Sequence, residues 1–272
     1  MNRIVRHPVM AALLCAGLAL TTGCNRLKAR DQLNKGVEAF KTASYEQAID
    51  HFQQAVQLDP TLPMARLYLA TAYAQQVVPN MQTPDNMKNA QLAIQNFQLV
   101  LQKNPSNLNA LKGIASLYFN IQDLKDAKSY QNKIIAVDPN DAEAYYTIAV
   151  IDWTLAYKNA IPVRQSLGLH DDGAAIKDKK ACAALAEQNS PLIQEGLDAL
   201  NKAVQLRANY DDAMSYLVLT YRRKADIECD DDAARQADLA TAQQWVEKGL
   251  AARKANQIKA NENVQKGIEL GK

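Results

Sequence analysis

The stretch AIQNFQLVLQKNP at residues 93–105 decides the fold, because two close variants of it occur elsewhere in the chain. AIDHFQQAVQLDP occupies residues 48–60, and AKSYQNKIIAVDP occupies residues 127–139. Each phrase carries apolar residues at helical spacing and ends on a proline, a residue that cannot continue a helix. The last two prolines, Pro105 and Pro139, are 34 residues apart. A repeat of this length predicts stacked helical hairpins, which usually provide a surface for other chains.

The composition supports a helical chain and bounds its size. The 272 residues include only 10 glycines and 9 prolines. Alanine, leucine, glutamine, asparagine and lysine are frequent, and most of these residues favour helices. The length is enough for one extended domain or for two small ones.

Residues 1–23 have the layout of an export signal. Arg3 and Arg6 precede the apolar run VMAALLCAGLAL, which is too short for a comfortable membrane span. The box that follows, Leu20-Thr21-Thr22-Gly23-Cys24, resembles a bacterial lipoprotein signal, although that family most often has leucine at the place of Thr21. The resemblance implies cleavage before Cys24 and a diacylglycerol group on its sulfur.

Lipid attachment would hold the protein stably at a membrane, because each buried CH₂ of an acyl chain contributes about 0.8 kcal/mol. Asn25 follows the cysteine, and in two-membrane bacteria an aspartate at this place favours retention in the inner membrane. The resemblance therefore implies an exported lipoprotein of the outer membrane that faces the periplasm. The alternatives are an ordinary secretory signal and an uncleaved anchor.

Loss of residues 1–23 would change both the charge and the cysteine count. Two arginines and no acid leave with that segment, so 29 basic and 29 acidic residues remain, and this balance speaks against a nucleic-acid partner. Cys15 leaves as well, and Cys24 carries the lipid. We predict a disulfide between Cys182 and Cys229, because both lie in inserts of neighbouring units in an oxidising compartment. The alternative is two separate buried thiols in helices.

The spacing of small and large residues resembles the tetratricopeptide repeat, in which small residues lie where two helices touch and a proline ends the unit. The first unit matches at Gly36, Ala48, Phe52, Ala55 and Pro60. The third unit has the same spacing, with a glutamine at the usual aromatic place, at Ala115, Ala127, Gln131, Ile134 and Pro139. The resemblance implies an all-α fold, a right-handed superhelical solenoid of antiparallel helical hairpins.

We predict a solenoid at residues 24–254 and a polar capping helix or tail at residues 255–272. Five units are expected near 29–62, 63–107, 108–141, 142–210 and 211–254, with insertions near 75–89, 158–190 and 225–232. In the large insertion of the fourth unit, the part with Pro162, Gly168 and Gly173 is predicted to be a loop. Ser190-Pro191 is predicted to start the second helix of that unit, because serine caps a helix and proline suits its first position.

The sequence offers little for catalysis or metal binding. His170 precedes Asp171 and Asp172 in the large insertion, but consecutive residues rarely point at one ion, and no other histidine or cysteine cluster has ligand spacing. No nucleophile motif and no phosphate-binding glycine loop occurs. The acidic run at residues 230–232 is predicted to cap the alanine-rich helix that follows. We therefore predict a non-enzymatic protein without a cofactor or a metal.

In tetratricopeptide proteins the first helix of each hairpin lines an inner groove, at places 2, 5, 9, 12 and 13 of the unit. The resemblance implies a partner-binding groove that includes Asn109, Lys112, Phe119, Asn120, Tyr146 and Trp153. Aromatic side chains beside a few polar groups often dominate the binding energy of an interface. The alternatives are that the aromatic residues pack between hairpins and that the insertions fill the groove.

The expected function is a lipid-anchored scaffold or adaptor of the cell envelope that binds a protein or peptide segment of an envelope complex. Two other functions stay open. The first is a structural module that associates with copies of itself. The second is an accessory subunit of an envelope assembly or secretion complex, or a divergent hydrolase whose site lies in the large insertion.

Overall fold

The computed structural model describes residues 7–62, 64–170 and 174–270, and within them the side chains from residue 24 to residue 265. Arg3, Arg6, Asp171, Asp172 and Gly173 lie outside the described residues. The described part of the chain contains ten α-helices and no strand, so the all-α prediction is confirmed. The helices are α1 (His7–Lys41), α2 (Tyr45–Leu58), α3 (Ala65–Gln75), α4 (Pro84–Lys103), α5 (Leu108–Asn120), α6 (Leu124–Val137), α7 (Ala142–Ser166), α8 (Lys179–Leu206), α9 (Asp211–Ala225) and α10 (Asp232–Leu270).

The chain divides into two compact units, Met1–Tyr130 and Gln131–Lys272. We call these the first unit and the second unit, and we call the five shorter segments predicted above repeats. In the first unit, α1 packs on α2, α3 packs on both α2 and α4, and α5 packs on α4. Small residues lie where these helices cross, since Ala48, Ala70 and Ala93 are completely buried. The rings of Phe52 and Phe97 fill the space between them. Burying an aromatic side chain of this kind contributes about 1.5–3 kcal/mol.

The antiparallel helices of the first unit bring alternate helix ends to two edges. At one edge Arg26 lies 3.4 Å from Asp59 in the α2–α3 loop, and Lys103 Nζ donates to a carbonyl of the same loop at 3.1 Å. At the other edge, Gln122 donates to Asn80 Oδ1 at 2.6 Å. We define the N-terminal edge as residues 24–30, 59–62 and 103–107, and the opposite edge as residues 38–46, 76–88 and 120–126.

The second unit is built on two long helical hairpins. α7 pairs with α8, α9 pairs with α10, and α9 also packs on α7 and α8. Its core contains Ile148, Leu197, Leu200 and Leu217. Asp231 accepts a hydrogen bond from the Ala234 N–H at 2.8 Å, so the prediction that the acidic run caps a helix is confirmed.

Two prolines lie inside helices rather than at helix ends. Pro162 is inside α7 and Pro191 is inside α8, so the predicted loop at Pro162 and the predicted helix start at Ser190-Pro191 are wrong. The Ser190 hydroxyl donates to the Ala186 carbonyl of the preceding turn at 2.6 Å instead of capping a helix. The connection between the two helices is the shorter segment 167–178, in which Gly168 has a left-handed φ of 67°.

Packing explains why these prolines do not end their helices. A proline inside a helix costs about 3 kcal/mol, because it removes one hydrogen bond and its ring clashes with the preceding turn. Ala160 and Arg164 are buried on either side of Pro162, and Asn189 and Ile193 are buried on either side of Pro191. The contacts of these neighbours outweigh the local cost of the prolines, which themselves lie at exposed positions.

Candidate partner-binding surfaces

The first unit contains an open cleft of about 720 Å³. Most of its lining residues come from α1, α3 and α5, the first helices of three successive hairpins. Apolar side chains form much of the lining, including Phe52, Leu67, Phe97 and Leu117. We call this feature the first-unit cleft. It joins an apolar surface to a few polar side chains, as ligand-binding sites commonly do.

Three of the predicted groove residues line this cleft. Asn109, Lys112 and Asn120 lie along its α5 wall, and the exposed Ser116 lies between them. Phe119 is half-buried and does not contribute to the lining. The charged residues among the lining side chains are Lys41 and Lys112, and both are positive. The cleft therefore offers amides and ammonium groups above an apolar surface.

The aromatic and apolar contribution that was expected from Phe119 comes from residues of α1 and α3 that were not singled out in the sequence. The second repeat is predicted to start at residue 63. Its places 2, 5, 9, 12 and 13 all line the cleft, and they are Met64, Leu67, Thr71, Ala74 and Gln75. In the first repeat, counted from residue 29, the last three of these places are Val37, Phe40 and Lys41, which also line the cleft. The repeat register of the sequence therefore also predicts these lining residues of α1 and α3.

The other two predicted groove residues, Tyr146 and Trp153, lie on α7 in the second compact unit and belong to an aromatic cluster between α7 and α9. The Tyr146 ring centroid lies 5.1 Å from that of Tyr210 and 5.6 Å from that of Tyr216. Trp153 stacks on Tyr157 at 5.1 Å and meets Tyr216 edge-on at 5.6 Å. Such pairs contribute about 0.5–1.5 kcal/mol beyond the burial of their surface. These rings therefore bind α7 to α9.

The surroundings of the aromatic cluster keep its hydroxyl groups neutral. Burial, together with the nearby Glu143 carboxylate, raises the pKa of Tyr210 to about 12. Burial likewise raises the pKa of Tyr146 and of Tyr216. Trp153 Nε1 is buried and has no hydrogen-bond acceptor among the described residues. Packing between helices therefore accounts for most of the surface of Tyr146 and Trp153.

The large insertion is fastened to its own unit by a buried arginine. The Arg164 guanidinium donates to the carbonyls of His170 and Ala174 and to Asp226 Oδ1, the last at 2.7 Å. Arg164 and Asp226 are almost completely buried, so this pair holds the α7–α8 connection against the α9–α10 loop. Arg223 Nη1 also lies 2.9 Å from Asp226 Oδ2, so removing the Asp226 carboxylate would leave two buried arginines without this counter-charge, at a cost of about 3–5 kcal/mol.

Cys182 and Cys229 meet at the same place. Their sulfur atoms lie 2.07 Å apart as a disulfide, and their Cα atoms are 5.8 Å apart. The bond joins the first turn of α8 to the α9–α10 loop, next to the Asp226 carbonyl. The exposed His170 contributes its backbone carbonyl to this region. Among the described side chains, no group of three histidine, cysteine or acidic residues is placed to hold a metal ion.

Cys24 lies exposed on α1, and the first buried side chain along the described part of that helix is Ala29. His51 is half-buried on α2, where its Nδ1 lies 2.7 Å from Gln32 Oε1, so it has a structural partner. In the part of the chain that the structure describes, no helix combines the length and the apolar character needed to cross a membrane.

Known proteins share this arrangement of hairpins. MamA from Desulfovibrio magneticus RS-1 is similar in structure with a TM-score of 0.56 and 18% sequence identity, over 84% of this chain and 96% of that chain. YrrB, described as a TPR protein with an unusual peptide-binding site, has a TM-score of 0.50 and 15% identity, over 83% of this chain and 90% of that chain. At these identities the likeness shows the fold.

The sequence also has a curated relative. RNA polymerase II-associated protein 3 of Homo sapiens is 24% identical over 169 residues, which cover 60% of this chain and 24% of that protein. The chain thus spans about a quarter of the length of this relative. Residues 28–77 match the family model described as TPR repeat, and residues 87–151 match the one described as tetratricopeptide repeat. The chain therefore contains tetratricopeptide repeats and has the all-helical fold of tetratricopeptide proteins.

Proposed function

We propose that this protein is a lipid-anchored scaffold or adaptor of the bacterial cell envelope that binds a segment of a protein partner in the first-unit cleft. Tetratricopeptide repeats are generally non-enzymatic interaction modules, which agrees with this role. The observation that carries the proposal is the cleft itself, in which residues at equivalent places of three successive hairpins converge on one surface. A segment that fits it carries apolar side chains flanked by acidic or hydrogen-bonding groups.

The proposed anchor is a diacylglycerol group on Cys24. Its acyl chains would lie in the outer membrane, and the protein would face the periplasm. The signal-like arrangement of residues 1–23 supports this assignment, as does the exposure of Cys24. From Cys24 to Lys41 the helix α1 still has five turns, so cleavage before Cys24 leaves the part that packs on α2 intact.

A crosslinked pull-down from the native envelope tests the cleft. The test variant combines Asn109→Ala, Lys112→Ala and Asn120→Ala, all on the cleft wall of α5. The matched control replaces one lysine and two amides at exposed positions of α4 outside the cleft, by Lys88→Ala, Gln95→Ala and Gln98→Ala. Loss of a central contact at an interface costs about 2 kcal/mol, so we expect binding to weaken about 30-fold in the test variant.

The result is interpretable only when both variants have the helix content of the wild type, which circular dichroism measures. A partner that is recovered with the wild type and the control but lost with the cleft variant supports the proposal. A partner that persists with the cleft variant and disappears with the control would move the binding surface to the outer face of α4, and the proposal would then be wrong.

A second candidate function, self-association, is favoured by exposed apolar side chains on α10. Leu250, Ile258 and Val264 are 61%, 51% and 62% exposed, and every described side chain from residue 253 to residue 265 is exposed. Light scattering over a range of concentrations tests this function. A particle size that rises sharply with concentration would favour it, and a monomer at tens of micromolar would exclude it.

A further inference from the structure

The N-terminal edge of the first unit carries an excess of positive charge. Arg26, Lys28 and Arg30 are exposed on α1, and the exposed Lys103 lies beside the α2–α3 loop at the same edge. The acidic residue among the described residues of this edge is Asp59, which is buried. Its carboxylate is already occupied by Arg26 and by the backbone N–H and hydroxyl of a neighbouring threonine. Lys28, Arg30 and Lys103 are exposed at this edge.

The opposite edge of the same unit has a different charge pattern. Its acidic residues are Glu38, Glu46, Asp85, Asp123 and Asp126. Its lysines are Lys41, Lys88 and Lys125. Cations and anions therefore alternate there, and the net charge is negative. The asymmetry belongs to the fold, because antiparallel hairpins bring residues that are distant in sequence to the same edge.

The first turn after Cys24 extends beyond the packed part of the helix. Residues 24–28 are all exposed, and Ala29 is completely buried. Within this turn Leu27 is 72% exposed, and the side chain of Arg26 is 71% exposed. An exposed leucine flanked by cations next to an acylated cysteine has the composition of a segment that lies in a membrane interface.

We propose that the N-terminal edge rests on the headgroups of anionic phospholipids and so fixes the orientation of the first unit on the membrane. The inference rests on the proposed lipid anchor at Cys24, since acyl chains on that sulfur would bring this edge to the bilayer surface. Leu27 enters the interface, and Lys28, Arg30 and Lys103 face the phosphate groups. We assign a lipid surface to this edge, because its cations lie next to Cys24, where the proposed acyl chains would enter the bilayer.

Distance limits the contact to this edge. A helix of 14 residues such as α2 is about 21 Å long, and it separates the two edges. The Debye length is about 8 Å at physiological ionic strength, so the lysines of the opposite edge lie beyond the range of the surface charge. Lys28 and Lys103 should therefore respond to anionic lipid, whereas Lys88 and Lys125 should not.

The test is lysine labelling, on vesicles, of the protein purified with detergent from the cell envelope. The vesicles consist of phosphatidylcholine alone or of phosphatidylcholine with phosphatidylglycerol, and mass spectrometry reads the labelling rate of each lysine. We expect Lys28 and Lys103 to be labelled roughly threefold or more slowly on the anionic vesicles, and high salt to abolish the difference. Lys88 and Lys125 should react at equal rates on both. Equal rates at all four lysines would overturn the proposal.

A pair of charge variants and a flotation assay separate the edge from the anchor. The edge variant combines Lys28→Gln, Arg30→Gln and Lys103→Gln, and its control combines Lys41→Gln, Lys88→Gln and Lys125→Gln. Loss of the preference for anionic vesicles in the edge variant alone supports the proposal. Flotation on both vesicle types without slower labelling at the edge leaves the anchor standing and removes the edge contact. Flotation on anionic vesicles only keeps the edge contact and removes the anchor, and flotation on neither overturns both.

Discussion

Two glycines of the first unit are required by aromatic rings that lie directly against them. A Cβ atom at Gly36 would come within 2.5 Å of the Phe52 ring, and one at Gly113 would come within 2.5 Å of the Phe97 ring. Both rings are almost completely buried, so they have little room to move away. The need for a small residue at Gly36 follows from the repeat pattern in the sequence. The need for a small residue at Gly113 does not follow from that pattern, because its contact with Phe97 joins two successive repeats.

The substitution Gly113→Ala should destabilise the protein. Overpacking against Phe97 costs about 1–3 kcal/mol, and the better helix propensity of alanine returns about 1 kcal/mol of that loss. Gly249→Ala is the matched control, because a Cβ there would lie at an ordinary 3.6 Å from Met214 Cβ. Urea denaturation followed by circular dichroism measures both. Equal stability of the two variants would contradict the steric explanation.

Asp59 should make the first unit sensitive to acid. The Thr61 hydroxyl and N–H, and then Arg26, lower the pKa of Asp59 below its ordinary value. Because the folded-state pKa is the lower one, its contribution to stability is complete above the unfolded pKa of about 3.9 and is lost as the pH falls through the folded value.

The replacement Thr61→Val tests this dependence, because it removes the hydroxyl and keeps the shape of the side chain. NMR titration of the Asp59 carboxyl group should show its pKa moving upward in the variant. The acid limb of the stability curve should move to higher pH with it. A pKa of Asp59 that does not respond to the loss of the hydroxyl would show that Thr61 is not the main cause.

At the scale of helices, the sequence predicted elements best where a repeat was complete. The first and third repeats carry small residues, large residues and a closing proline in order, and α2, α5 and α6 follow from them. Pro162 and Pro191 misled the prediction, because a local rule for helix ends was applied where buried neighbours decide. Local propensity describes an isolated segment, whereas Arg164 and Asn189 are held by residues far away in sequence.

The disulfide between Cys182 and Cys229 should be a stabilising element of the second unit. It spans 47 residues of sequence, and closing a loop of that length contributes about 2–4 kcal/mol. We expect the double variant Cys182→Ala, Cys229→Ala and the reduced wild type to lose similar amounts of unfolding free energy. Thiol labelling of non-reduced protein should leave both residues unmodified. Quantitative labelling of both would show that the purified protein lacks the bond.

The candidate site was predicted in part, and the reason lies in the register of the repeat. Asn109, Lys112 and Asn120 of the third repeat line the cleft as the family pattern implies. Tyr146 and Trp153 follow the same pattern but pack against tyrosines of α9. The repeat pattern predicts where a side chain lies on its helix. The neighbouring helix determines whether that side chain lines a cleft or packs between helices.

For the whole molecule, the prediction concerns the fate of Cys24. Growth with an alkyne-tagged fatty acid should label the wild type, and mass spectrometry should find the modification on the peptide that begins at Cys24. Cys24→Ala should abolish labelling, and Cys182→Ala should retain it, because that residue lies buried in the second unit. Labelling of Cys24→Ala at the wild-type level would contradict the proposed anchor.

The length of α2 has a consequence for any partner that starts in the bilayer. If the N-terminal edge rests on the headgroups, the opposite edge stands about 21 Å above them. An extended chain advances about 3.3 Å per residue, so a segment leaving the membrane needs a tether of about six residues to reach that height. Partners whose linkers are shorter would reach only the lower part of the cleft. The solenoid would then select its partners by linker length as well as by chemistry.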